Sequence, residues 1–249
     1  MVVKLVAFDL DGTLAPSKGP ISSKMASSLK ELLDFSPVCI ITGGTKEQIL
    51  SQVVSHLPNN ANLRNLHLMP TSGSQYFTWG LGRWREIYSE SFTEGQVKMI
   101  LNSVEVAVEI LGYWPEKFYG EVIQNRGSQI TFSALGQDAP RRLKEKWDPT
   151  GEKRERLRSS VSALLPDYDV RSGGSTSIDV TRAGVDKGYG MSELSKRTGI
   201  NCSEMLYVGD RLDVGGNDYS VIRTGAIVEA VSDPKQTLKI INMLVDRSL

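Results

Sequence analysis

Val2-Val-Lys-Leu-Val-Ala-Phe-Asp-Leu-Asp-Gly-Thr13 is the stretch whose reading decides the fold. Val2 to Phe8 is apolar apart from Lys4, the composition of a strand buried on both faces, and it runs straight into two aspartates and a glycine. A buried strand ending in a polar turn suits an open parallel sheet, where ligands bind outside the carboxyl ends of strands. The pattern continues outward. Ser22 to Phe35 carries Met25, Leu29, Leu32 and Leu33 at helical spacing behind a serine cap. Val38 to Thr42 is a second buried strand, Thr45 opens a helix through Ile49, Val53 and Val54, and Leu66 to Thr71 is a third strand. Far along the chain, Glu204 to Gly209 and Ala226 to Val228 read as two more strands, and Thr237 to Val245 as a closing helix. Such alternation predicts an α/β fold with a doubly wound, parallel, Rossmann-like sheet.

The middle of the chain has another period. Gln129 to Leu135 and Ser175 to Thr181 alternate apolar and polar residues, as an antiparallel sheet with one open face requires. Helical stretches accompany them at Thr93–Leu111 and Gly151–Leu165. The expected organisation is a core of residues 1–82 and 187–249 with an inserted α+β cap of residues 83–186. Trp79 and Trp84 flank the first junction and are read as packing residues. Glu152 to Arg158, a mixed charge run, is read as a solvated helix face.

Composition narrows the function classes. Among 249 residues, 29 Lys and Arg balance 29 Asp and Glu, which argues against a nucleic-acid binder with its basic patch. No uncharged apolar run approaches the ~20 residues of a membrane span. Lys4 and Asp9 interrupt the apolar N-terminal run, so it does not read as a signal peptide, and a cytoplasmic protein is expected. Cys39 and Cys202 are too few for a disulfide framework or a zinc site, and Cys39, within an apolar run, reads as a buried thiol. His56 and His67 stand apart from every motif and are assigned no catalysis.

The candidate chemistry gathers at strand ends. Alternation along the first strand and its turn could aim Asp9 and Asp11 into one crevice. Close carboxylates repel, which calls for a cation or a shared proton, and magnesium suits few carboxylates plus substrate phosphate. Thr42-Gly43-Gly44 also ends a buried strand and opens a helix, so a hydroxyl and glycine N–H groups can meet an anion. Lys187 opens a helix, where a cation works against the helix dipole; a lysine holding phosphate and an aspartate is the sharper reading, a solvated lysine the blander one. Gly209-Asp210 and Asp213 to Asp218 place three carboxylates and the Asn217 amide in a glycine-rich loop, with a structural turn as the alternative.

These motifs, Asp9-Leu-Asp-Gly-Thr13, Thr42, Lys187 and Gly209-Asp210, resemble in order the four motifs of the haloacid dehalogenase superfamily. Asn125-Arg-Gly127 with Phe132 to Gly136, Gly173 to Val180, and Gly215-Gly-Asn-Asp218 resemble its large-cap branch, and within it the phosphomannomutases. The resemblance implies Asp9 as the nucleophile that takes a phosphoryl group and Asp11 as general acid and base. It implies magnesium (Mg2+) held by Asp9, the Asp11 carbonyl and Asp210, with Asn217 or Asp218 in support. Thr42 and Lys187 would grip the phosphoryl oxygens, and Arg126, Ser177 and Asp179 the sugar and its distal phosphate.

The family pattern departs at the distal clamp. A second family arginine falls on Gln137 and a third near Lys144, with Arg141 and Arg142 adjacent. Glutamine lacks charge and lysine lacks the planar fork that holds phosphate bidentately. The expected function is therefore magnesium-dependent phosphoryl transfer on a hexose phosphate. A sugar hydroxyl as acceptor gives a phosphomannomutase-like enzyme; water gives a sugar-phosphate phosphatase. A non-catalytic sugar-phosphate binder is the third reading. The mutase relationship carries with it a homodimer through the caps and leaves open whether a hexose bisphosphate activates.

Overall fold

Leu5–Phe8 (β1) is hydrogen-bonded on both sides, to Met205–Gly209 (β10) and to Val38–Ile41 (β2), both parallel. Strand alternation then sends its side chains into two cores. Val6 and Phe8 join Val38, Ile40, Leu206 and Val208 on one face, and Leu5 and Ala7 join Cys39, Ile41, Met205 and Tyr207 on the other. That is why these strands read as unbroken apolar runs. Ser23–Phe35 (α1), Lys46–Gln52 (α2) and Pro234–Asp246 (α7) supply Leu29, Leu33, Ile49 and Ile241 to the first core. Lys187–Thr198 (α6) supplies Met191 and Leu194 to the second. Each such side chain contributes about 1.5–3 kcal/mol on full burial.

These features come from a computed structural model that describes residues 3–246. Val2, the expected start of the first strand, and residues 247–249 of the expected core lie outside the described residues. The large sheet has the order β11-β10-β1-β2-β3-β4-β5, where β3 is Leu66–Met69, β4 Gln75–Gly80, β5 Arg83–Ser89 and β11 Ile227–Ala230. Its first five strands are parallel and the last two antiparallel. The third strand stops at Met69, short of the expected Thr71, because Thr71 and Ser72 turn to positive φ of 49° and 59°.

Two compact units divide the chain, Met1–Ser89 with Asp186–Leu249, and Glu90–Val185. The expected boundary at 82/83 falls inside a hairpin. β5 turns back on β4 through Leu81 and Gly82, both at positive φ, and Trp79 packs edge-on against its register partner Trp84 at 5.3 Å. The polar alternation of Arg83–Ser89 belongs to the edge of the large sheet, where one face meets solvent.

The second unit is an antiparallel sheet, β6-β7-β9-β8, of Ile123–Asn125, Gln129–Ser133, Ser177–Arg182 and Tyr168–Ser172. Ile130, Phe132, Ile178, Val180 and Val170 cover one face with Glu94–Leu111 (α3) and Glu152–Leu164 (α5). A short polar helix, Arg141–Trp147 (α4), was not evident from periodicity. Among the described residues no helix is long and apolar enough to cross a membrane.

Candidate active site

Three segments far apart in sequence meet at the carboxyl ends of β1 and β10. The Asp9 N–H donates to the Val208 carbonyl at 3.0 Å, continuing the ladder one residue past β1. Asp210 follows β10, Asp218 ends the glycine-rich loop, and Lys187 is the first residue of α6 behind the Asp186 cap. Carboxylate oxygens of Asp9, Asp210 and Asp218 lie within 4.8 Å of one another. The Lys187 Nζ donates to Asp9 Oδ1 at 2.5 Å and to Asp218 Oδ1 at 2.6 Å. Tyr207 Oη also donates to Asp218 Oδ1, at 2.6 Å, and the Arg211 N–H to its other oxygen at 3.0 Å.

Burial sets the electrostatics. Asp9, Lys187 and Asp218 are 3%, 1% and 0% exposed. Burial pushes the Asp9 carboxyl up to about 7, with Lys187 opposing and Asp218 adding to the rise. Burial also works against the Lys187 ammonium, yet Asp218 and Asp9 outweigh it and hold its pKa above the ordinary lysine value. Asp218 is buried too, but Lys187, Tyr207 and the Arg211 N–H keep it below the usual carboxylate range. Burial and Asp218 raise Asp210. Two glycines make the approach possible: a Cβ at Gly12 would sit 2.5 Å from Asp210 Oδ2, and one at Gly209 would sit 2.3 Å from Asp218 Oδ2. Once all are ionised, three carboxylates against one ammonium leave an excess of two negative charges, and the raised Asp9 carboxyl reflects its burial and that crowding. That excess, on oxygen ligands, fits one divalent cation.

Asp11 departs from its expected place. Its carboxylate is not in the trio; Oδ1 accepts from the Lys18 N–H at 2.6 Å and Oδ2 from Gln48 Nε2 at 2.8 Å. Strand alternation does not carry Asp11 alongside Asp9, because β1 ends at Phe8 and Gly12 turns the chain at φ +90°. Asp218, not Asp11, supplies the third clustered carboxylate, while its neighbour Asn217 is exposed.

Thr42 is buried at the end of β2, and its hydroxyl accepts the Gly44 N–H at 3.1 Å. The Gly44 N–H, expected to face an anion, is thus engaged within its own loop. The loop is pinned from the side by the Ser72 and Thr71 N–H groups, which donate to the Thr42 and Gly44 carbonyls at 2.7 and 2.8 Å. Gly43 remains more open, with Ser72 Oγ 3.7 Å from where its Cβ would stand.

In the second unit, strand register lays out a polar row. Gln124, Thr131, Asp179 and Arg171 are successive partners across the four strands, on the face opposite the apolar core. Thr131 Oγ1 donates to Asp179 Oδ1 at 2.6 Å, and Arg126 Nε to Gln124 Oε1 at 2.8 Å. Burial pulls the Arg126 guanidinium below its ordinary value with Asp179 opposing, and raises Asp179 with Arg126 opposing. A Cβ at Gly173 would stand 2.8 Å from Ser177 Oγ and 2.9 Å from Asp179 Oδ2, so Ser177 and Asp179 converge on bare backbone. Arg126, Ser177 and Asp179 are thereby in one neighbourhood. Gln137 and Lys144 are joined differently: Lys144 Nζ donates to the Gln137 carbonyl at 2.7 Å. Arg141 pairs with Glu145 on α4 with its side chain 82% exposed, and Arg142 is exposed beside it.

Tyr207 and Gln48 escaped the sequence reading. Tyr207 looks like one more apolar position of a buried strand; its hydroxyl was the signal. Gln48 sits three residues after Thr45, where it reads as a helix-capping residue.

A family of haloacid dehalogenase-like hydrolases matches residues 6–245, and the chain belongs to it. The protein accordingly belongs to a family of enzymes. Among curated relatives, it is 28% identical to a phosphomannomutase of Saccharomyces cerevisiae over 96% of this chain and 93% of that one. It is 23% identical to the phosphomannomutase of Spinacia oleracea over 94% and 93%. In fold it is similar to an IMP-bound IMP-nucleotidase of Plasmodium falciparum, with TM-score 0.74 at 18% identity over all of this chain and 68% of that one. It is likewise similar to the trehalose-6-phosphate phosphatase C-terminal domain of C. albicans, with TM-score 0.67 at 18% identity over 98% and 93%.

Proposed function

We propose that the protein transfers a phosphoryl group on a hexose phosphate, phosphomannomutase-like, through an aspartyl-phosphate on Asp9. The observation that carries this reading is the buried cluster in which Lys187 bridges Asp9 and Asp218 beside Asp210. Lys187 engages Asp9 Oδ1, and we assign Oδ2 to the attack. A bond forms from that oxygen to phosphorus as the bond from phosphorus to the sugar oxygen breaks, and Asp11 delivers the proton that the leaving oxygen takes. In the second half the acceptor hydroxyl returns a proton to Asp11 and attacks phosphorus, which frees Asp9. Thr42 and Lys187 hold the phosphoryl oxygens, with Gly43 leaving room for them. Asp9, Asp210 and the Asp11 carbonyl would hold magnesium, with Asp218 behind them; when bound, it offsets the charge of phosphoryl oxygen and carboxylates.

The neighbourhood of Arg126, Ser177 and Asp179 suits a sugar with a second phosphate, which supports the mutase reading. A cap-mediated homodimer and activation by hexose bisphosphate belong to that reading. One observation favours water as acceptor instead: the uncharged Gln137 and the outward Arg141 take two expected clamp positions away from a distal phosphate, leaving Arg126 with Arg171 of the row. Product analysis with mannose 1-phosphate, with and without hexose bisphosphate, separates the two. Mannose 6-phosphate is expected; free mannose and inorganic phosphate would establish the phosphatase. Acid trapping should place label on Asp9, and Asp9→Asn should abolish turnover.

A further inference from the structure

The chain contains the sequence Thr-x-x-Gln at the start of two helices, and they do different things. At α3, Thr93 and Gln96 close a complete capping box: the Gln96 N–H donates to Thr93 Oγ1 at 3.3 Å, and the Thr93 N–H returns to Gln96 Oε1 at 2.9 Å. At α2 the first half is made, from the Gln48 N–H to Thr45 Oγ1 at 3.3 Å. The Gln48 side chain instead reaches Asp11, thirty-seven residues earlier in the chain. Its amide is oriented by chemistry. One terminal atom faces both Asp11 Oδ2 at 2.8 Å and Gln52 Oε1 at 3.1 Å, two acceptors, so that atom is the nitrogen. Gln52 lies one turn further along α2 and is 5% exposed, a fixed anchor for the amide. Gly44 keeps the path clear, since a Cβ there would stand 2.1 Å from Gln48 Oε1.

We propose that Gln48 is a positioning residue for Asp11, fixing the orientation of its carboxylate for proton transfer. The proposal rests on the acid and base role given to Asp11 above. With the Lys18 N–H on Oδ1 and Gln48 on Oδ2, the carboxylate is held at both oxygens from two different segments. Losing the Gln48 donor leaves it free to rotate about the Lys18 contact.

The test compares leaving groups, because a proton donor matters for a poor one and little for a good one. Single-turnover rates are measured with phenyl phosphate and with 4-nitrophenyl phosphate, neither of which needs sugar recognition. Gln48→Met keeps the volume and removes the donor. It should slow phenyl phosphate cleavage about tenfold, the scale of one charge-assisted hydrogen bond, with the concentration for half-maximal rate unchanged and the rate of 4-nitrophenolate release intact. Gln48→Glu, which keeps the reach but cannot donate, should lose at least as much. Asp11→Asn should show the same leaving-group selectivity more strongly, and adding Gln48→Met to it should cost nothing more. Equal losses on both substrates, or none, would overturn the positioning role. If Asp11→Asn cleaves phenyl phosphate normally, the acid role itself falls. If Asp11→Asn fails while Gln48→Met does not, only the Gln48 proposal falls.

Discussion

The acid cluster of the first unit, largely buried, and the polar row of the second, mostly half-buried, both carry charge, yet they are built in opposite ways. The cluster sits at strand ends, and its members come from the turn after β1, the start of α6 and the loop after β10. Asp9 and Asp218 share one lysine, and Asp218 has a tyrosine and a backbone N–H as well. The row sits in mid-strand, where cross-strand register alone puts Gln124, Thr131, Asp179 and Arg171 in line. A cluster of the first kind carries excess charge that an ion can offset. A row of the second kind presents spaced polar groups along a face, as recognition of a sugar requires.

The comparison can be broken most directly at Lys187. Lys187→Met leaves Asp9 and Asp218 buried without their shared cation, and removing one partner of such a pair costs about 3–5 kcal/mol. Urea unfolding should show that loss; a shift no larger than that of a surface substitution would mean the cluster is not held by its lysine. Beside the row, where Arg126 bonds Gln124, Arg126→Ala should cost less stability, because Asp179 keeps the Thr131 hydroxyl. Its effect should appear in ligand binding, weakening hexose bisphosphate about tenfold or more, as titration calorimetry would read. Hydrolysis of a small aryl phosphate should stay nearly intact.

A pH series sharpens the contrast further. The fold raises the Asp9 carboxyl from its unfolded value near 3.9 to about 7, so the folded state takes up a proton in that window. Its stability contribution is complete below the unfolded pKa and is lost as pH rises through about 7. In EDTA the urea midpoint should therefore fall between pH 4 and 7, by at most about 1.4 kcal/mol per unit. Asp9→Asn should lack that component, and added magnesium should flatten it by favouring the ionised carboxylate. A wild-type slope unmoved by both would break the charge argument. The smallest effect belongs to Arg141→Ala, whose exposed ion pair with Glu145 should contribute no more than about 0.5 kcal/mol. A large loss of bisphosphate affinity there would restore Arg141 to the distal clamp.

Much of the architecture was legible because burial on both faces leaves its mark on composition. β1, β2 and β10 read as continuous apolar runs because water reaches neither face, and β9 alternates. β7 alternates in sequence yet is buried throughout, its polar Gln129, Thr131 and Ser133 meeting polar partners instead of water. The serine cap at Ser22 was legible too, while Thr45, Thr93 and Asp186 prove to cap their helices with oxygens that take a backbone N–H. Edge strands were harder. Arg83–Ser89 alternates like the second unit's strands, and only its pairing with β4 assigns it to the first. α4 carries too few apolar residues for any period to show.

By itself the sequence determined the two classes of sheet and the strand ends at which chemistry gathers. Those follow from local pattern, and local pattern reports burial and backbone geometry; that Asp9, Lys187 and Asp210 belong together was implied by the family resemblance alone. Which carboxylate completes the cluster was decided by tertiary structure: the turn at Gly12 carries Asp11 aside to Lys18 and Gln48, and the loop after β10 brings Asp218 in. The same holds for Tyr207, whose ring fits an apolar strand while its hydroxyl finds Asp218, and for Gln48, which shares a motif with Gln96 but not a partner. Hydrogen-bond partners are chosen by distance and direction between segments remote in sequence, and one-dimensional spacing carries neither.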